Sequence, residues 1–144
     1  MKTRKQERKK TVLVWVTNPD ACQSIVSAGR KLADDNKVEL VIVSIQGSIK
    51  GDWNNRASDL KKLSEAAKSA DAELTVVYSD DMYEAAHDTI KRFKPMIMVT
   101  GLPGNLGAGS FLEQIMNMAP GVPIYSVDMK ENMKRLDTIS LRIS

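Results

Sequence analysis

Residues 11–45, TVLVWVTNPDACQSIVSAGRKLADDNKVELVIVSI, hold two apolar runs with an amphipathic stretch between them. The first run, Thr11 to Val16, is nearly continuous in apolar residues, as expected of a parallel strand covered on both faces. Asn18-Pro19-Asp20 breaks it. Proline is favoured in the first turn of a helix, and aspartate there complements the helix dipole. Cys22, Ile25, Gly29 and Leu32 then recur at helical spacing as the inward stripe of a first helix. Val38 to Ile45 (VELVIVSI) reads as the second strand.

The same alternation continues outward from this stretch. Gln46 to Asn55 (QGSIKGDWNN) has turn chemistry and reads as a loop. A second helix is expected from about Arg56 to Ala70, with Ala57, Leu60, Leu63 and Ala67 inward. Glu73 to Tyr78 (ELTVVY) is the third strand. Ser79-Asp80-Asp81 opens a third helix, with Asp81 and Glu84 at capping-box spacing. Met82, Ala86, Ile90 and Phe93 supply its buried side, and Pro95 stops it. Met96 to Thr100 is the fourth strand, Phe111 to Ala119 a short fourth helix, and Val122 to Val127 the fifth strand. The chain is therefore expected to be α/β, an open five-stranded parallel sheet with helices on both faces. Residues 11–128 form this domain. Residues 1–10 are a basic leader, and 129–144 a polar tail left open between an edge strand, a partner contact and no order.

Composition narrows the function. The 144 residues suit one domain, and 42% hydrophobic with 27% charged residues is ordinary for a globular protein. No apolar run is long enough to cross a bilayer, and no apolar region follows the charged N-terminus as in a signal peptide. With Cys22 as the sole cysteine an internal disulfide is excluded, which fits a reducing compartment, and the expected address is cytoplasmic. Residues 1–10 hold six Lys and Arg against one Glu, a net +5, so the rest of the chain carries −2 of the overall +3. The high pI belongs to the leader, which is either solvated or a contact for RNA or anionic lipid. A basic stripe with interleaved aromatics is missing from the domain sequence, so nucleic acid is not the expected partner.

In open α/β sheets ligands sit at the carboxyl ends of the strands, where strand order reverses. That directs attention to Thr17-Asn18-Pro19 after the first strand and to Gly101–Ser110 (GLPGNLGAGS) after the fourth. The latter holds four of the eight glycines, Gly101, Gly104, Gly107 and Gly109, ahead of Ser110. Glycines let backbone N–H groups approach an anion, and the following helix adds the positive end of its dipole. A flexible turn with a serine cap satisfies the same composition. A Walker loop would need a lysine where Ser110 follows Gly109, and a Rossmann loop would need glycines in residues 17–22, TNPDAC. Neither is present.

The motif Gly101-Leu102-Pro103-Gly104, a spacer, then Gly109-Ser110 resembles the Gly-x-x-Gly, Gly-Ser/Thr pattern of the universal stress proteins over roughly residues 11–128. The stretches TVLVWVTNPDACQSIVSAGRKLADD and YSDDMYEAAHDTIKRFKP look like the universal-stress domain of KdpD-type sensor histidine kinases. The resemblance implies strand order 3-2-1-4-5 and a non-catalytic domain that binds ATP or another adenine nucleotide, with Mg²⁺ only as the nucleotide's companion. Thr17, Asn18 and Ser44 would line the base side, and Gly101, Gly104, Gly109 and Ser110 the phosphate side. It also implies a homodimer through the fifth strand. Two positions depart from the pattern. The spacer, Asn105 to Ala108, is four residues where ATP binders have a longer one, and Thr17 stands where they carry aspartate. Cyclic di-AMP is therefore an alternative ligand, and an interaction domain that has lost its ligand an alternative function. An enzyme of the adenine-nucleotide α-hydrolase group would need a glycine- and serine-rich loop after the first strand, which residues 17–22 lack.

Other polar residues have simpler readings. His87 has no nucleophile or acid at a recognisable spacing and reads as a helix-surface residue. Cys22 reads as a small core residue, and one His with one Cys does not make a zinc site. Asp80 and Asp81 suit helix capping better than a ribose or metal. Trp53 is left open between stacking on a base and packing down its loop.

Overall fold

A computed structural model describes residues 10–16, 22–46, 53–101, 111–128, 130 and 132–136. The strands are β1 (Thr11–Trp15), β2 (Glu39–Gln46), β3 (Glu73–Tyr78), β4 (Ile97–Gly101), β5 (Ile124–Val127) and β6 (Met133–Leu136). Between them run α1 (Cys22–Asn36), α2 (Trp53–Ser69), α3 (Met82–Phe93) and α4 (Phe111–Met118). The sheet order is β3-β2-β1-β4-β5-β6. The first five strands are parallel, and β6 alone runs antiparallel, against β5.

The apolar run at 11–16 earns the centre of this sheet. Every residue from Thr11 to Val16 is buried, because β1 is flanked by strands on both edges and helices on both faces. Val12, Val14 and Val16 pack with α1 and α2, while Leu13 and Trp15 pack with α3 and α4. The alternation of strand side chains thus divides one continuous run between two cores.

Helix ends follow local chemistry. Asp81 is the N-cap of α3, its Oδ1 accepting the Glu84 N–H at 3.0 Å. The Asp81 N–H itself donates to Ser79 Oγ at 3.0 Å, so serine takes the place of the returning glutamate in the expected capping box. Lys94 closes α3 in the left-handed conformation, φ 46°, with its N–H on the Ile90 carbonyl, immediately before Pro95. Lys37 and Asp71 take the same conformation just past α1 and α2, as helix-terminating residues do.

Several expectations need correction. Helix α2 begins at Trp53, so that residue lies in a first helical turn rather than in a loop. Its buried positions are Leu63, Ala66, Ala67 and Ala70. Ala57 is exposed and Leu60 only half-buried, because the apolar stripe is used only from Leu63 onward. Met82 is likewise exposed, and Ala85, Ala86 and Thr89 form the inner side of α3. The sheet also continues past residue 128. Of the readings left open for the tail, the edge strand is the one formed: Met133–Leu136 (MKRL) occupies the outer edge of β5, on which a homodimer contact was expected.

The β5–β6 connection is held by one carboxylate. Asp128 Oδ1 accepts the Lys130 N–H at 2.8 Å and the Asn132 N–H at 3.0 Å, and Oδ2 accepts Asn132 Nδ2 at 3.1 Å. The Asn132 N–H, helped by the Asn132 side chain and by Lys130, holds the Asp128 carboxyl below its usual range. A depressed folded-state value stabilises the hairpin above the ordinary carboxylate range, about 3.9, and that support is lost as pH falls through the lowered value. The protection of β6 amides, taken relative to their intrinsic exchange rate at each pH, should therefore fall on acidification. Asp128→Ala should show fast exchange at neutral pH already, and unchanged β6 protection in that variant would remove Asp128 as the clamp.

Candidate functional site

The reversal of strand order lies between β1 and β4. The chain leaves β1 for α1 on one face, whereas α4, which follows β4, packs on the other. Such a divergence opens a crevice at the carboxyl ends. Register fixes what lies beneath it. Trp15 is level with Val43 on one side and with Thr100 on the other. One residue further along, Ser44, Val16 and Gly101 therefore come level, with Val127 beside Gly101.

Two of the seven expected site residues are in this row, one on each side of β1. Ser44 is buried, and its Oγ accepts from Gln46 Nε2 at 3.4 Å. Gly101 is half-buried and has a packing reason as well as a site reason. A Cβ built there lies 3.0 Å from Ile25 Cδ1, so the glycine lets the start of α1 close against the end of β4. Thr17, Asn18, Gly104, Gly109 and Ser110 lie outside the described residues. On the α3/α4 face two hydroxyls join the floor that the sequence reading had not singled out, Thr100 and Ser126, buried and directly opposed. Their signal was faint: a small hydroxyl residue next to the last position of each of two mostly apolar strands.

The floor formed by Trp15, Val16, Ser44, Thr100, Gly101, Ser126 and Val127 contains no ionisable side chain. It offers the hydroxyls of Ser44, Thr100 and Ser126 for hydrogen bonding and no charged group. A phosphate would need donors from elsewhere, the backbone N–H groups of a glycine-rich segment being the type suited to it. Among the described residues no group of three His, Cys, Asp or Glu could hold a metal ion. No helix there is long and apolar enough to cross a membrane.

Three further residues weighed in the sequence can be placed. Cys22 is buried in the α1/α2 core with Sγ 3.9 Å from the Lys62 carbonyl. His87 is exposed on α3, and Asp81 serves as a cap. A cavity of about 510 Å³ opens between Met116, Val122, Pro123, Ile124, Arg135 and Leu136. It lies at the amino end of β5, opposite the crevice.

The class this architecture defines is an open α/β sheet of five parallel strands, with strand order reversing between the first and fourth, and one added antiparallel edge strand. Solved structures with that fold include universal stress proteins. One in complex with cAMP matches with TM-score 0.62 and 18% identity over 85% of this chain and 99% of its own. The universal stress protein of Archaeoglobus fulgidus in complex with dAMP matches with TM-score 0.60 and 16% identity, over 83% and 98%. The zinc-inhibited teicoplanin deacetylase Orf2 matches with TM-score 0.57 and 11% identity, over 83% and 67%. At these identities the likeness is one of fold, and the fold also carries enzymes. The sequence matches no family model and no curated protein.

Proposed function

We propose that the chain is a non-catalytic nucleotide-binding or signal-sensing domain of the universal-stress type. The observation that carries this reading is the row Ser44–Val16–Gly101, an uncharged, hydroxyl-bearing floor at the point where strand order reverses. The segment that leaves it, 101–110, has the glycine content an anion cradle requires. Two universal stress proteins of like fold hold cAMP and dAMP, which supports an adenine nucleotide as ligand class. Thr17, Asn18 and Ser44 would meet the base and ribose; Gly101, Gly104, Gly109 and Ser110 would meet phosphate. Mg²⁺ would arrive only with the nucleotide. The short spacer Asn105–Ala108 suits a ligand with less phosphate to wrap than ATP, which favours a monophosphate or a cyclic dinucleotide such as cyclic di-AMP. The KdpD-like stretches agree with a sensor role of that kind. A homodimer through β5 would require β6 to leave its edge.

Calorimetric titration of the full chain with ATP, AMP and cyclic di-AMP, each with and without Mg²⁺, tests the proposal. One of them should bind in the micromolar range, and Gly104→Val or Ser110→Ala should weaken it at least tenfold, about 1.4 kcal/mol. No heat from any of the three in a folded protein would sink the nucleotide reading. The second reading would then stand: an interaction domain that has lost its ligand, favoured by Thr17 in place of aspartate and by the same shortened spacer.

A further inference from the structure

The sheet ends in two unlike edges. On one side β6 is four residues long and carries Lys134 and Arg135 in mid-strand, the usual protection of an edge against pairing. On the other side β3 is six residues, ELTVVY, with no lysine, arginine or proline, and its one charge, Glu73, is at the start. Its outward hydrogen-bonding row can be assigned. The Ser79 N–H donates inward to the Gln46 carbonyl at 2.8 Å, and inward and outward groups alternate along a strand. The N–H and C=O of Leu74 and Val76 therefore point away from β2. No strand among the described residues lies beyond them.

The exposed apolar residues gather at the same edge. Of the four large hydrophobic side chains exposed among the described residues, Tyr78 (52%), Met82 (38%) and Tyr83 (53%) follow one another from the end of β3 into α3. A strand edge alone falls short of the roughly 1,000 Å² that a stable interface needs, and such a rim adds to it.

We infer that β3 is the seat of a second copy of this chain, two molecules pairing antiparallel through β3 about a two-fold axis at Val76. The register follows from the outward row, since only residues of that parity can exchange hydrogen bonds across the new edge. Val76 then faces Val76 of the other copy, Leu74 faces Tyr78, Thr75 faces Val77, and Glu73 faces Ser79. Apolar and β-branched residues meet one another at every central pair, and no like charges face each other. The two sheets become one continuous sheet, and the pairing leaves β5–β6 and the nucleotide crevice untouched. It stands independently of the ligand reading.

Sedimentation equilibrium of the full chain tests this. A dimer is expected, weakened at least tenfold by Val76→Lys, which opposes two cations at the axis, and by Val76→Pro, which removes an outward N–H that the monomer does not use. Lys134→Ala on the other edge should leave it unchanged. Should both Val76 variants fail to fold, Val76→Cys decides. A hydrogen-bonded antiparallel pair sets Cα atoms about 5.5 Å apart, within disulfide range, and native Cys22 is buried. A covalent dimer under mild oxidation supports the inference. A chain that stays monomeric at roughly 0.1 mM, a dimer indifferent to Val76→Lys and Val76→Pro, or no disulfide from Val76→Cys overturns it.

Discussion

Trp15→Ala is expected to lower the stability of the fold by about 3–5 kcal/mol, the largest loss from any single truncation in β1. Trp15 is among the largest fully buried side chains, at 1% exposure. It leaves the central strand on the α3/α4 face, within the cluster of Leu13, Ala86, Met98 and Ile115. Its Nε1 donates to Met98 Sδ at 3.3 Å, and sulfur is a weak acceptor. The cost therefore comes from the ring's burial and the cavity it leaves, not from the hydrogen bond. Whole-domain stabilities are about 5–15 kcal/mol, so the variant should sit near the margin of folding, with a midpoint lower by roughly 10 °C in thermal melts. Trp15→Phe keeps most of the ring and should lose much less. Equal losses from the two would assign the energy to the Nε1 contact and refute the cavity argument. Trp15 is level with Thr100 in the crevice floor, so under the proposed function nucleotide affinity should fall in Trp15→Ala as well.

Gly29→Val is expected to destabilise by more than about 3 kcal/mol, and Gly29→Ala by roughly 1–2 kcal/mol, near the range of overpacking costs. Two effects oppose each other at this position. Glycine inside a helix is worse than alanine by about 1 kcal/mol, so adding a methyl should help α1. The methyl, however, would lie 2.5 Å from Val14 Cγ2 and 3.0 Å from Leu40 Cδ1. Val14 is wholly buried in β1 and Leu40 nearly so in β2, so neither has room to retreat. Sterics win, and valine adds branching that a helix disfavours. Urea unfolding measures both variants; a Gly29→Ala protein as stable as the parent would show that α1 can lift off the sheet at little cost.

The candidate site was legible in part. Placement at the ends of β1 and β4 followed from the alternation of strands and helices, since parallel strands joined by helices put all their carboxyl ends on one side. Ser44 and Gly101 were assigned by resemblance, and register brings them level on either side of Val16. What Gly101 does for packing was invisible, because Ile25 is distant from it in sequence and meets it only when α1 folds back on the sheet. Thr100 and Ser126 escaped for a similar reason: each is a small hydroxyl residue in a mostly apolar strand, and only β4–β5 pairing sets them side by side.

By itself the sequence determined the order and type of five strands and four helices, the burial of β1 on both faces, and the ends of α3, while the strand order was implied by resemblance. These depend on apolar period, on Asp81 as a cap and on Pro95 as a stop, all of which act within a few residues. Only the tertiary structure decided which parts of each apolar stripe are used: Ala57 and Met82 have the right spacing yet remain exposed. It alone decided β6, since MKRL has neither alternation nor strand composition and becomes a strand by pairing with β5 behind the Asp128 turn. And it alone decided that, among the described residues, the edge left without a strand is β3 rather than β5, because an edge is defined by which strands are neighbours, a relation between residues far apart in the chain.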